Sequence, residues 1–499
     1  MTLPDWARLE AGAGGYSRQR GIGRSIGLNT ISAVFQLLGA VLSTVILSRI
    51  LQAEDFGVYG MIMPFVGVLL IIIDGGAVYY ILRSPKVVER EVSFLFWYTV
   101  IFGAGLTVLL FMALPFIAWA MEEPRVLGAG AVAATVLLFS ALGSQHGAMM
   151  MRCFRNDLRA IAIIGGVIAG VATALALGYA GFGYWALVAL LVIRVAVTSG
   201  LNLALSGWLP MLRVWDRGLL KDVVRLARSS LGERIILGLV RESDKIIVGV
   251  LFSTAAAGYY VLAQMLAVMP LLQIISPTFT VVLPYLSEMK SDPSAMFAKF
   301  WNMLCIFVYV FWPPCVFASL FAVPLFQLVL GPEMQGSVEP FRVLIISGVA
   351  ALTFTFSSLA PQAVDRPDIV QRQNLFAAGI FAVCYAAAAI IGGGVVAIAT
   401  ATLVANVLAN AMRFRDYFRF FSFDAARALG RLGRTLALGV VAPVLVFALS
   451  ASLGPAGLTG YAVVDLVAFS GLFLVIYAGL GCWLFDIDPR QALARLWRR

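Results

Sequence analysis

The stretch SRILQAEDFGVYGMIMPFVGV, residues 48–68, has a second copy further along the chain. It aligns without gaps with GVLFSTAAAGYYVLAQMLAVM, residues 249–269, and the alignment pairs Gly57 with Gly258. Weaker matches at a similar offset follow in the same order. They are Phe96-Trp97 with Phe300-Trp301, and GFGYWALV (181–188) with GGGVVAIA (392–399), whereas Tyr59 with Tyr260 belongs to the ungapped alignment itself. The preserved order predicts a chain built from two copies of one unit.

The composition places both copies in a membrane. Hydrophobic residues make up 61% of the 499 residues and charged residues only 12%, whereas a soluble chain carries about 25% charged residues. The mean hydropathy is +0.94. The five cysteines have neither disulfide-framework nor metal-ligand spacing. We therefore expect an integral membrane protein without cofactor or metal.

Apolar segments of spanning length predict fourteen transmembrane helices. They lie at about 26–48, 57–82, 94–118, 126–150, 159–179, 183–207, 226–251, 257–286, 299–330, 338–362, 373–391, 395–412, 433–453 and 461–485. Six spans in each copy is an even number, so the two copies share one orientation. The predicted fold is all-α, with two six-helix lobes related by a pseudo-two-fold axis along the membrane normal and two C-terminal helices. The predicted parts are residues 1–215, 216–415 and 416–499. The connections are too short for a catalytic domain, so no enzyme is expected.

The distribution of basic residues predicts the orientation. Most of the 36 Lys and Arg residues fall on the side that also holds both termini, whereas the opposite connections contain acidic residues such as Glu122 and Glu333. The positive-inside rule places both termini in the cytoplasm and the chain in the cytoplasmic, or inner, membrane. The basic and aromatic run at 412–434 is interpreted as a segment on anionic lipid headgroups, not as a nucleic-acid site.

One predicted span is unusually charged. GERIILGLVRESDKIIVGVL, residues 232–251, carries six charged side chains, and each costs about 2.5–3.5 kcal/mol at the centre of a bilayer. At 100° per residue, three of them form one stripe about 16 Å long: Arg234, Arg241 and Lys245. Glu242 and Asp244 flank the stripe.

Two interpretations of this stripe remain open. In the first, it lines a cavity between the lobes, where Arg234, Arg241 and Lys245 bind an anionic substrate. In the second, the charges pair with one another, Arg241 with Asp244 and Glu242 with Lys245. A third possibility is that residues 241–245 lie at the membrane interface because the span is misplaced.

Other intramembrane or loop residues are weaker candidates. Arg49 closes the first span and either contacts the substrate at the periplasmic mouth or extends toward lipid headgroups. Asp74, beside two glycines, is a candidate for binding a coupling Na⁺ or H⁺, with a helix-packing hydrogen bond as the alternative. Arg194 has cavity and structural interpretations of similar weight. His146 is interpreted as structural.

The same segments carry a family resemblance. ILSRILQAEDFGVYGMIMPFVGVLLIIIDGGAVYYILRS (46–84) resembles the first signature of the polysaccharide transporter family, within the multidrug/oligosaccharidyl-lipid/polysaccharide exporter superfamily. Supporting matches are GFGYWALV (181–188), ESDKIIVGVLFSTAAAGYYVLAQ (242–264) and PTFTVVLPYLSEMK (277–290). The chain departs from the family at APQAVDRPDIV (360–370), where relatives more often have a Gly-Arg-Pro turn.

The resemblance implies an O-antigen or exopolysaccharide flippase that works by alternating access. Its substrate is expected to be a polyprenyl-pyrophosphate-linked oligosaccharide, with membrane lipids and a glycan polymerase or export machinery as partners. A cation-coupled multidrug antiporter of the same superfamily is the first alternative. A membrane glycan polymerase or ligase is the second, although it would normally carry a long extracytoplasmic loop.

Overall fold

A computed structural model describes residues 18–84, 87–153, 155–212, 214, 216–452 and 462–484. All the regular elements assigned in these ranges are helices. The chain divides into two compact units, Met1–Leu262 and Ala263–Arg499.

In its described residues, the N-terminal unit contains eight complete helices and most of a ninth. They are α1 (Arg18–Ser48), α2 (Ala53–Ile72), α3 (Ala77–Arg83), α4 (Glu89–Ala120), α5 (Arg125–Arg152), α6 (Asn156–Tyr179), α7 (Trp185–Ser206), α8 (Arg217–Leu251) and α9 (Thr254–Ala267), which continues into the next unit. Asp216 caps α8, because its carboxylate accepts hydrogen bonds from the backbone N–H groups of Gly218 and Leu219 at 2.8 and 3.1 Å.

The C-terminal unit holds the remaining helices. They are α10 (Met269–Ser287), α11 (Pro293–Leu320), α12 (Ala322–Val329), a 3₁₀ helix (Pro332–Ser337), α13 (Val338–Ser357), α14 (Leu359–Ala363), α15 (Pro367–Ile391), α16 (Gly394–Phe420), α17 (Ala425–Ser452) and α18 (Ala462–Leu484).

Twelve helical segments in the described part of the chain are long and apolar enough to cross a membrane. The other two predicted spans fall on α8, which is helical but highly charged, and on α18, whose described apolar stretch is Ala468–Tyr477. The chain is therefore a multi-pass all-α membrane protein, and the count of fourteen spans stays a prediction.

Helices within each unit follow the same packing order. In the first unit α4 packs on α5, and α5 and α6 both pack on α7; in the second, α11 packs on α13, and α13 and α15 both pack on α16. The tryptophans that the repeat pairs also make equivalent bonds. The indole N–H of Trp97 donates to the carbonyl of Met211 at 2.9 Å, and that of Trp301 donates to the carbonyl of Ala428 at 3.1 Å. In the first unit the tryptophan bonds to the segment after α7, and in the second unit it bonds to the helix after α16.

The division into compact units differs from the predicted lobes at one place. The predicted boundary lies at residue 215, whereas α8 and the first part of α9 belong to the N-terminal unit. The reason is that α8 packs along α2. The predicted lobes are defined by the sequence repeat, whereas the compact units are defined by contacts within the structure. The lobes therefore stay a prediction.

The run at 412–434 requires a correction. Four of its six aromatic residues do not lie outside on lipid headgroups but are buried in the core of the second unit: Phe414, Tyr417, Phe418 and Phe421. They pack against Phe297 and Trp301 of α11 at ring-centroid distances of 4.5 to 6.3 Å. Arg415, Arg419 and Arg427 of the run are exposed, and so is Phe420, whereas Arg413 is buried. The alternation of basic and aromatic residues arises because one face of α16 is buried and the other is not.

Candidate substrate site on the charged helix

The charged helix α8 packs against α2 through one face. A Cβ atom on Gly238 would lie 3.1 Å from Ile71 and 3.5 Å from Val68, and one on Gly249 would lie 3.2 Å from Met61. The residue number rises along α8 while it falls along α2, so the two helices run antiparallel. Glycine at both α8 positions permits this close approach.

The acidic residue Glu242 lies on that same face of α8. Its carboxylate is 3.6 Å from the Cβ position of Gly67 in α2. Lys245, one turn further along, pairs with Glu242 through its ammonium group. Lys245 is 7% exposed and Glu242 18% exposed. The structural interpretation of the stripe predicts this ion pair. The pair neutralises the charge of Lys245 where α2 and α8 are in contact.

Asp244 faces a different neighbour. It is 2% exposed, and its carboxylate accepts a hydrogen bond from the hydroxyl of Tyr260 in α9 at 2.8 Å. The backbone N–H of Lys245 also donates to this carboxylate at 2.8 Å. Tyr260 is itself fully buried. Two neutral donors therefore stabilise a carboxylate at membrane depth.

The repeat partner of Tyr260 lies near the other acid of α8. Tyr59 of α2 is within electrostatic range of Glu242 and of Arg194 in α7. Arg194 is half-buried. Helices α2, α7, α8 and α9 thus contribute charged and phenolic side chains to the interior of the first unit.

Two predicted substrate residues occupy described helix positions, but their side chains lie outside the described residues. They are Arg234 and Arg241 of α8. Helical periodicity predicts that both belong to the side of α8 that carries Lys245, and this placement stays a prediction. The predicted pairing of Arg241 with Asp244 stays a prediction.

Helices α2 and α9 meet in a close crossing near their first turns. A Cβ on Gly57 would lie 1.9 Å from the carbonyl oxygen of Thr254, and a Cβ on Gly258 would lie 1.7 Å from that of Ala53. No other residue type fits at either glycine without a backbone shift.

An ion network closes the same end of these helices, and sequence reasoning missed it. Glu123 accepts hydrogen bonds at 2.8 Å from both Nε and Nη2 of Arg125, and at 2.9 Å from the hydroxyl of Thr254. Arg125 also pairs with Glu54 at 3.4 Å. The hydrogen bonds from Arg125 lower the pKa of the Glu123 carboxyl from 4.5 to about 2. The sequence offers only one cue, an acid and a base two residues apart after a span.

The two remaining predicted site residues, Arg49 and Asp74, lie between helices. Arg49 is exposed, one residue beyond the end of α1. Asp74 lies in the break between α2 and α3, where Gly75 and Gly76 have φ angles of 52° and 85°. Tyr98 of α4 donates its hydroxyl to the Gly75 carbonyl at 3.2 Å and is within electrostatic range of Asp74. Asp74 is therefore at a helix break, not inside the continuous helix that the sequence predicts.

Among the described residues, no group of three or more His, Cys, Asp or Glu side chains is arranged to hold a metal ion. His146 is fully buried and its Nδ1 lies 2.8 Å from the hydroxyl of Ser206. Its ring contacts Phe96 and Trp208. This setting fits the structural role predicted for it.

Known proteins resemble the chain in both sequence and fold. Teichuronic acid biosynthesis protein TuaB of Bacillus subtilis (strain 168) is 24% identical over 305 residues, which cover 60% of this chain and 62% of TuaB. The match thus spans less than two thirds of the length of that relative.

Solved structures share the fold at low sequence identity. The lipid II flippase MurJ in an inward closed conformation has a TM-score of 0.75 and 11% identity, over 92% of this chain and 99% of that one. An inward-facing multidrug resistance MATE family transporter of the MOP superfamily has a TM-score of 0.62 and 15% identity, over 80% of this chain and 98% of that one.

The sequence profile of a protein family matches residues 46–339, and that family is described as "polysaccharide biosynthesis protein". This range holds the first repeat signature, the charged helix and the α2–α9 crossing. Since the profile covers more than half of the sequence, the chain belongs to the polysaccharide biosynthesis protein family.

Proposed function

We propose that the chain is a flippase that moves a polyprenyl-pyrophosphate-linked oligosaccharide across the cytoplasmic membrane, with both termini in the cytoplasm. The glycan is a repeat unit of lipopolysaccharide O-antigen or of an exopolysaccharide. Family membership supports a role in polysaccharide synthesis. The fold shared with a lipid II flippase supports a carrier of lipid-linked saccharides.

The observation that carries this proposal is the acid–base cluster on α8. Charged groups at membrane depth are expensive and mark substrate pathways. A pyrophosphate brings at least two negative charges into the membrane, and its sugars bring hydroxyl groups that require hydrogen-bonding partners. A helix with three cations on one side and two acids beside them provides counter-charges for the pyrophosphate without a large net charge in the empty carrier.

The Glu242–Lys245 pair offers a route by which Lys245 binds the substrate. Lys245 is covered while α8 packs on α2. When the α2–α8 contact opens, a phosphate oxygen replaces Glu242 as the partner of the ammonium group. Lys245 then exchanges one anionic partner for another and is never left unpaired in the membrane. Arg234 and Arg241 add planar donors that bind phosphate in a bidentate manner.

Other predicted residues take supporting roles in this proposal. Arg49 contacts the substrate where it leaves the carrier, and Asp74 binds a coupling H⁺ or Na⁺ at the break between α2 and α3. A glycan polymerase or export machinery receives the product. Alternating access requires paired halves, and the contact between Gly57 and Gly258, which are equivalent positions of the repeat, supports a pseudo-two-fold axis between α2 and α9.

A complementation experiment tests the proposal. A strain that lacks the gene is expected to accumulate lipid-linked repeat units, and the wild-type gene restores export. Arg241→Ala is expected to abolish export while the protein remains in the membrane. Arg427→Ala, at an exposed arginine in the first turn of α17, is the matched control and retains export. Normal glycan export in the deletion strain would contradict the proposal.

The fold similarity to a multidrug transporter favours one alternative, a cation-coupled antiporter. An antiporter for cationic drugs requires acids without paired cations along its path, whereas here Glu242 is paired with Lys245. Drug susceptibility of the deletion strain separates the two. The flippase predicts unchanged susceptibility when membrane permeability is matched, and the antiporter predicts a rise.

A further inference from the structure

A ladder of polar contacts joins α16 to α13 inside the second unit. Asn406 donates to the hydroxyl of Ser347 at 3.1 Å, and Asn410 donates to the carbonyl of Ala350 at 2.8 Å. Arg413, at the third step, follows at the spacing that keeps all three on one helix face. The sequence pattern of this face is N-x-x-x-N-x-x-R. Arg413 also belongs to the run at 412–434, for which the sequence predicts a position on lipid headgroups.

Arg413 is 1% exposed. Its guanidinium donates to the carbonyl of Phe354 at 2.6 Å, to the hydroxyl of Ser357 at 3.2 Å and to the side-chain oxygen of Asn374 at 2.7 Å. The ring of Phe354 lies 3.4 Å from the guanidinium carbon. These partners are all neutral.

Within the described part of the chain, no carboxylate pairs with this guanidinium. The nearest acid along the helix, Asp416, is paired with Arg372 at 3.7 Å and is partly exposed. A guanidinium is always charged in proteins. Arg413 is therefore a buried cation without an acidic counter-ion among the described residues, and such a charge is strongly disfavoured.

Two polar groups on these helices are buried without hydrogen-bond partners in the described part of the chain. The Nε–H of Arg413 has no hydrogen-bond acceptor among the described residues. Gln373, adjacent to Asn374 on α15, is fully buried, and neither its amide nitrogen nor its amide oxygen has a partner in the described part of the chain. Buried polar groups are almost always satisfied, so each of these groups requires an explanation.

We propose that Arg413 and Gln373 form a binding site for a small inorganic anion such as chloride between α13, α15 and α16. The anion accepts from the Nε–H of Arg413 and from the amide N–H of Gln373, and it neutralises the guanidinium. Because Arg413 is almost completely covered, the site excludes a lipid headgroup. The competing account is that the last carbonyls of α13, Phe354 among them, are sufficient to stabilise the cation.

Anion-dependent stability of the purified full-length protein tests this site, independently of transport. Thermal unfolding is followed in detergent at constant ionic strength while chloride replaces gluconate, an anion too large for the site. At chloride concentrations about a hundredfold above the dissociation constant, Tm is expected to rise by about 2–3 °C. Arg415→Gln, at an exposed cation on the same helix, keeps this rise.

Two variants at Gln373 complete the test. Gln373→Glu supplies an internal counter-ion, so it is expected to raise Tm in gluconate and to lose the response to chloride. Gln373→Leu removes one donor and is expected to lose most of the chloride response. The proposal is overturned if the wild-type protein has the same Tm in both anions, or if both Gln373 variants respond to chloride as the wild type does.

Discussion

Gly57 of α2 and Gly258 of α9 contact each other's helices reciprocally. The first lies against Thr254 and the second against Ala53, and the alignment of the two copies pairs Ala53 with Thr254. The two glycines are equivalent positions of the repeat, and the two residues that they contact are equivalent positions as well. Reciprocal contacts of this kind are typical of elements that a two-fold axis relates.

The crossing predicts that neither glycine tolerates a side chain. Gly57→Ala places a Cβ against a backbone oxygen, so the helices must move apart, and overpacking of this kind costs about 1–3 kcal/mol. The Tm of the purified variant is expected to fall by about 1–3 °C. Gly200→Ala in α7, where a Cβ meets nothing within 4 Å, is the control. It should be neutral or slightly stabilising, since alanine favours a helix. Equal Tm values for the two variants would show that the crossing is not as close as described.

The Glu123–Arg125 pair predicts a loss of stability in acid. The folded pKa of Glu123 is lowered to about 2 from 4.5, so its stabilising contribution is fully present above about pH 5 and decreases as the pH falls from 4.5 toward 2. The contribution is about 1–3 kcal/mol after allowance for the partly exposed arginine. Thermal unfolding of the wild type and of Glu123→Gln between pH 7 and pH 3 measures it. The gap in Tm between the two is expected to shrink as the pH falls, and a gap that stays constant with pH would refute the assignment.

The Glu242–Lys245 pair predicts a non-additive double mutant. Lys245→Met alone leaves the partly buried Glu242 charged, and Glu242→Gln alone leaves the buried Lys245 charged, so each single change is expected to cost about 3–5 kcal/mol. The double variant removes both charges and should recover most of the lost stability. If stability losses were simply additive, the two side chains would not be paired in the membrane.

The same double variant separates structure from substrate binding. If Lys245 serves only to neutralise Glu242, the recovered protein exports glycan normally. If Lys245 binds the pyrophosphate, the recovered protein is stable and inactive, and this is the result we expect.

The charge distribution predicts the topology. Reporter fusions at residue 122 and residue 333 should report an extracytoplasmic location, and fusions within 421–424 and at the C-terminus a cytoplasmic one. A cytoplasmic reporter signal at residue 122 would reverse the orientation of the first unit. An extracytoplasmic C-terminus would contradict the fourteen-span prediction.

Helix positions could be predicted from the sequence, because a span of apolar residues has no other way to satisfy its backbone inside a membrane. The pairing of Glu242 with Lys245 also followed from helical spacing. Contacts between distant segments could not be predicted in this way. The hydrogen bond between Asp244 and Tyr260 depends on how α8 packs on α9, and the burial of Arg413 depends on which face of α16 meets α13. Periodicity gives a residue its face but does not identify the helix that covers it.

The most direct measurement is transport by the purified protein in proteoliposomes that contain a labelled polyprenyl-pyrophosphate-linked oligosaccharide. Glycan that reaches the outer leaflet becomes accessible to an added glycosidase, whereas glycan in the inner leaflet stays protected. The wild-type protein is expected to expose the inner-leaflet glycan over time, and the stable Glu242→Gln, Lys245→Met double variant is expected not to. If the wild-type protein leaves the inner-leaflet glycan protected, as in protein-free liposomes, the proposed flippase function is contradicted.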